Sequence, residues 1–181
     1  RPRKSLICIT DRNSTLPRQA YLYILHPQSA SLLGVSASAG ALAVGATRDR
    51  VATMRRFGEA VGMAFQIQDD ILDYTPTAHT GKPANNDLRE GKITLPLLSV
   101  LDRATDSRRR ELLERLSRCH ESDEEVEYLR STVENEGGLS FAAEVMQGYI
   151  ARAVEMLSDY PDSEYRSALV NLCAYIAERD R

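Results

Sequence analysis

Three aspartates, Asp69, Asp70 and Asp73, fall within five residues of the apolar stretch Phe65-Gln66-Ile67-Gln68-Asp69-Asp70-Ile71-Leu72-Asp73-Tyr74, which contains no turn residue. On a helix, Asp69 and Asp73 are i and i+4 and share one face. Asp70 sits about 100° round from Asp69, near that face. Gln66, one turn earlier, lies on the same stripe. Phe65, Ile67, Ile71 and Leu72 form the opposite, core-facing stripe. Lining up carboxylates in this way costs like-charge repulsion. A bound cation offsets that cost. Oxygen ligands suit hard divalent ions, and Mg²⁺ in particular is commonly held by one or two carboxylates together with substrate phosphate oxygens. The set therefore suits a Mg²⁺-bridged phosphate ligand better than a closed protein cage; the alternative is a solvated acidic surface, which the apolar flanks disfavour.

The polar segment that follows, residues 75–93, carries two Gly-Lys pairs and supplies Lys82, Arg89 and Lys92. These cations could neutralise the rest of a phosphate's charge. Metal and lysine together can draw off the charge that develops on a departing pyrophosphate. Lys82 and Lys92 would be ordinary surface lysines anywhere else; their place beside the aspartates singles them out. Gln66 reads equally as a partner of the site or as a core-edge glutamine. His26, His79 and His120 are isolated and read as structural or exposed.

The elements that must position these groups are helical. Residues 1–20 are poorly patterned, and Ser14-Thr15-Leu16-Pro17 reads as a helix start. Arg18 to about Ala46 reads as helix, broken near His26 by Pro27. Its small-residue part, Ser29 to Ala41, is expected to be a central, crowded helix. Asp49 is expected to cap a helix from Arg50 to about Tyr74, with Met54, Phe57, Val61, Ala64 and Ile71 inward. Thr94 and Pro96 start another helix. Asp106 or Ser107 is expected to cap one to about Ser117, and Ser122 one to about Asn135. Gly137-Gly138 is a stop. Leu139–Ser158 and Glu164–Glu178 complete an all-α chain, the latter with Leu169, Leu172, Cys173, Tyr175 and Ile176 on its apolar side.

Bulk properties narrow the function. The chain has 181 residues, a net charge of −3, 43% hydrophobic and 27% charged residues. That is an ordinary globular composition, with no basic-aromatic clusters for nucleic acid. Cys8, Cys119 and Cys173 are odd in number and widely spaced, which favours neither zinc nor a disulfide framework and fits a cytoplasmic setting. No charged residue lies between Arg18 and Arg48. Pro27, His26, Gln28 and the Ala/Ser/Gly content favour a buried helix over a membrane span there.

One stretch resembles a known family. Gly62-Met63-Ala64-Phe65-Gln66-Ile67-Gln68-Asp69-Asp70-Ile71-Leu72-Asp73, then Gly81-Lys82-Pro83, Asp87-Leu88 and Glu90-Gly91-Lys92-Ile93-Thr94-Leu95-Pro96 resembles the second aspartate-rich region of the trans-polyprenyl diphosphate synthases, or polyprenyl synthetases. A looser likeness runs from about Tyr21 to the C-terminus. The resemblance implies the C-terminal part of an isoprenoid synthase-type helical bundle, with residues 1–181 as a partial polyprenyl synthetase domain. It implies a prenyltransferase of isoprenoid biosynthesis that condenses an allylic prenyl diphosphate with isopentenyl diphosphate. Asp69, Asp70 and Asp73 would then bind Mg²⁺. Lys82 and Lys92 would contact the diphosphate, Gln66 would lie near the reacting end, and Ser29 would fall in a further diphosphate-binding segment. That segment carries a lysine in the family, where this chain has Gln28. The full-length protein would be a homodimer. The family's first aspartate-rich motif has no counterpart here, so the chain reads as a fragment incomplete for catalysis. The alternative is a non-catalytic regulatory subunit of a heteromeric prenyl diphosphate synthase.

Overall fold

The computed structural model describes residues 30–75 and 85–179. Among these the chain is helical, without strands: α1 (Ser31–Ala43), α2 (Arg48–Asp73), α3 (Asn86–Arg89), α4 (Leu95–Arg103), α5 (Asp106–Leu116), α6 (Asp123–Asn135), α7 (Gly138–Met156) and α8 (Glu164–Glu178). The described residues form two compact units, one of residues 70–142 and one of residues 30–69 and 143–179. The division falls inside α2, between Asp69 and Asp70.

In the 70–142 unit, α6 is the hub, touched by α3, α4 and α5. Leu88, Leu95, Leu97, Leu112, Leu116, Leu129 and Val133 are fully buried there. α6 begins at Ser122, whose Oγ accepts the Glu125 N–H at 3.3 Å. Three acidic residues follow in its first turn, where the helix dipole favours them. Glu125 also holds Arg115 at 2.7 Å and Arg118 at 2.9 Å, which ties α6 to α5 and the turn after it. Ser122→Ala is expected to destabilise the chain by about 1 kcal/mol, read from the urea midpoint; an unchanged midpoint would count against the cap.

Two expected caps are corrected. Thr47, not Asp49, caps α2: its Oγ1 accepts the Arg50 N–H at 3.4 Å, and Asp49 sits in the first turn. Thr105, not Asp106 or Ser107, caps α5 through the Arg108 N–H. In both cases a threonine with the right geometry takes the role, two places before Asp49 and one before Asp106, and the acid serves the dipole instead.

In the other unit, α1 crosses α2 closely. A Cβ on Gly58 would stand 2.3 Å from the Leu33 carbonyl oxygen, and one on Gly34 would stand 2.7 Å from Glu59 Cγ. The small residues therefore do allow close approach at this crossing, as expected. The expectation of a central, crowded helix is otherwise overturned. Gly34 is the buried residue of α1, while Leu32 is 67% and Val44 82% exposed. In the same unit α8 buries Cys173 and Ile176 but leaves Leu172 and Tyr175 exposed, against expectation. No helix among the described residues is long and apolar enough to cross a membrane. The helix starts expected before Ala30 lie outside the described residues.

Candidate functional site

The C-terminal half of α2 is buried on more sides than its apolar stripe predicts. Phe57, Val61, Ala64, Ile67 and Leu72 are buried as expected, whereas Met54, Phe65 and Ile71 are half-buried. Two of the three aspartates are buried too, Asp70 at 5% exposure and Asp73 at 8%. Asp69 is the accessible one, with 46% of its side chain exposed.

In the 70–142 unit, Asp73 has a definite task. Its Oδ1 accepts the Asn86 N–H at 3.2 Å and its Oδ2 the Asp87 N–H at 2.9 Å. Its backbone carbonyl accepts the Asn85 N–H at 2.7 Å. Asn85 has a φ of 64°, in the left-handed region that asparagine tolerates better than most residues. Asp73 thereby draws the start of α3 back to the end of α2. Asp87 then carries Lys92: Lys92 Nζ lies 2.8 Å from Asp87 Oδ1 and 2.7 Å from Glu90 Oε2. Gly91, at φ 68°, makes the turn that brings Lys92 round, and the Lys92 N–H donates to the Asp87 carbonyl at 2.8 Å. Partial burial pulls the Lys92 ammonium down, but its hydrogen bonds to Asp87 and Glu90 outweigh that and raise it above the ordinary lysine range. Lys92 is accordingly a fixed cation rather than a base.

Tyr74 closes this side. It is fully buried, and its hydroxyl lies 3.4 Å from Thr94 Oγ1. Burial pushes its phenol strongly up, against the lowering contact with Thr94, and Asp70, Asp87 and Asp73 push the same way as burial. Tyr74 is therefore a neutral hydroxyl. Thr94 stands at the N-cap of α4 but makes no side-chain capping bond there; its hydroxyl faces Tyr74.

In the other unit, the Asp69 carboxylate pairs with the Arg179 guanidinium, just past the end of α8. Gln66 lies half-buried one turn before. Arg89, expected to reach toward a phosphate, pairs with Asp123 at 2.6 Å instead. Ser29 and Lys82 lie outside the described residues.

Among the described residues, no group of three or more His, Cys, Asp or Glu side chains forms a metal-ready cluster. The donor set still fits a hard divalent ion in kind, because Asp69 offers accessible carboxylate oxygen and already holds a positive group. The roles of Tyr74, Asp87 and Arg179 were not read from the sequence. Asp87 stood in the motif without an assigned task. Arg179 gave no signal, being 110 positions from its partner.

Comparison with known proteins extends this picture. Residues 7–133 match the family described as Polyprenyl synthetase. The chain is 37% identical over 160 residues to the all-trans-nonaprenyl-diphosphate synthase (geranyl-diphosphate specific) of Rhodobacter capsulatus, covering 88% of this chain and 48% of that protein. It is 35% identical to heptaprenyl diphosphate synthase component 2 of Geobacillus stearothermophilus, covering 91% and 50%. Among solved structures, it superposes on a geranylgeranyl pyrophosphate synthase from Bacteroides thetaiotaomicron with a TM-score of 0.84 and 31% identity, covering 94% of this chain and 56% of that one. A polyprenyl synthase from Caulobacter crescentus, complexed with calcium and isoprenyl diphosphate, gives 0.83 and 32%, covering 93% and 51%. The chain spans about half the length of the curated relatives it matches.

Proposed function

Since this chain belongs to the polyprenyl synthetase family, we propose that it is the diphosphate-binding part of a trans-prenyltransferase. Its substrates are an allylic prenyl diphosphate and isopentenyl diphosphate, and its product is a longer linear polyprenyl diphosphate. The observation that carries the reading is the Asp73–Asp87–Lys92 relay, which returns a permanent cation toward the aspartate helix within one unit. A diphosphate bridged by a metal needs such a mixed-charge setting.

Asp69, Asp70 and Asp73 are the residues to hold the divalent ion, Mg²⁺, with Asp69 as the accessible ligand. Bound there, the ion would supply positive charge to a departing pyrophosphate. Lys92 and Lys82 bind the diphosphate, with Ser29 as a further contact. Gln66 lies toward the reacting end. In the reaction the allylic C–O bond breaks and its electron pair leaves with the pyrophosphate. The isopentenyl double bond then attacks the allylic cation, and a proton is lost. Cytoplasmic location is part of the same reading, in keeping with free, buried Cys119 and Cys173.

A second reading is a regulatory subunit that works with a partner chain. It is favoured by the exposed Leu32, Val35, Leu42 and Val44 around α1 and by the relative named as a component 2. Homodimerisation of the full-length protein is the corresponding proposal within the first reading.

Incubation with farnesyl diphosphate, labelled isopentenyl diphosphate and Mg²⁺ tests these readings. The chain alone is expected to retain farnesyl diphosphate in Mg²⁺ but not in chelator, with little labelled elongation product. Retention that ignores the chelator would sink the metal-bridged reading. Robust elongation by the chain alone would overturn its incompleteness. A changed product length on mixing with a full-length synthase would favour the subunit reading.

A further inference from the structure

The accessible aspartate of α2 is occupied by the chain's own cation. Arg179 reaches Asp69 with one end of its guanidinium, and Nη2 also approaches the Phe65 carbonyl at 3.5 Å. The guanidinium carbon lies 4.1 Å from the Phe65 ring centroid. Gln68 Nε2 donates to the Arg179 carbonyl at 3.2 Å. Phe65, Gln68 and Asp69 thus grip both the side chain and the backbone of one residue. The grip is imperfect: Arg179 Nε is buried and has no hydrogen-bond partner among the described residues. An unpaired buried donor costs free energy, so this placement is held against a penalty and can be exchanged for a better one.

A divalent ion at Asp69 would meet the Arg179 charge at contact distance. Two cations in a partly desolvated setting cannot share one carboxylate without strong repulsion. We infer that Arg179 is a built-in competitor for the divalent ion, seated on Asp69 when the ion is absent and expelled when it binds. The Arg179 N–H donates to the Tyr175 carbonyl at 2.9 Å, so expulsion also loosens the last turn of α8. The coupling is reciprocal: whatever weakens the Arg179 seat tightens the ion, and the ion frees the C-terminal turn. This rests on the divalent-ion reading proposed above.

The test uses Mn²⁺ as the probe and the whole 181-residue chain. Mn²⁺ binding is followed by electron paramagnetic resonance in the unaltered chain, Arg179→Gln and Arg179→Lys. Amide hydrogen exchange of residues 176–179 is followed in the unaltered chain with and without Mn²⁺. Arg179→Gln is expected to bind Mn²⁺ about fivefold more tightly, and Arg179→Lys about as the parent does. Exchange at 176–179 is expected to quicken on saturation. Equal or weaker binding by Arg179→Gln overturns the inference and leaves the divalent-ion reading standing. No Mn²⁺ bound by any of the three overturns both. If Arg179→Gln loses its helical signal, the exchange data decide alone, and unchanged exchange at 176–179 overturns the inference.

Discussion

Gly58→Ala is expected to destabilise the chain by about 3 kcal/mol, the upper part of the range for overpacking. In an open helix the same change would gain stability, because alanine is the better helix former. Here the added Cβ would stand 2.3 Å from the Leu33 carbonyl oxygen, 2.6 Å from the Leu33 carbonyl carbon and 2.9 Å from Gly34 Cα. These are backbone atoms of α1, so no side-chain rotation relieves the clash. The helices must separate at this crossing. Gly148→Ala is the matched control: nothing lies within 4 Å of its Cβ, and it is expected to be neutral or to stabilise by up to about 1 kcal/mol. Urea unfolding of the two variants reads the difference directly. A Gly58→Ala chain as stable as Gly148→Ala would show that the close crossing does not exist in solution.

Asp69→Asn is expected to weaken Mg²⁺-dependent pyrophosphate binding roughly tenfold or more, since even partners of metal ligands, one shell out, are worth that much. The fold should survive, because the side chain is nearly half exposed and the amide has the same shape. Titration calorimetry with pyrophosphate, in Mg²⁺ and in chelator, gives the measurement. Asp69 does two things in this chain, as a candidate ligand and as the seat of Arg179. The two separate by sign. If Asp69 served only to anchor Arg179, Asp69→Asn would behave as Arg179→Gln does. If it is a ligand, affinity falls in the first variant and rises in the second. Unchanged pyrophosphate affinity in Asp69→Asn would remove it from the site.

Much of the helical frame was legible because local signals agreed with packing. The 3.6-residue period and the flanking turn residues placed α2, α6 and α8 to within a residue or two. Ser122 and Gly137 acted as read, the first as a cap and the second as a positive-φ terminator. That Asp69, Asp70 and Asp73 stand on one continuous helix was legible from residue type and spacing. What failed depended on distant partners. Nothing local to α1 says that, among the described residues, Gly34 would be its buried position, since that depends on what α1 crosses. The short α3 was hidden in a polar segment, because the acceptor that nucleates it, Asp73, belongs to the preceding helix. Arg89 looked like a phosphate ligand until α6 brought Asp123 to it. Asp69 and Arg179 meet only through the fold.

Asp73 also joins two elements through a single residue. The Asn85 N–H is fixed to the Asp73 carbonyl, and the next two N–H groups to the Asp73 carboxylate. The start of α3 is thus fastened to the end of α2 by three bonds at its base. Lys92 follows from that base through Asp87. In that sense Asp73 is a clasp, and the register of Lys92 hangs from it.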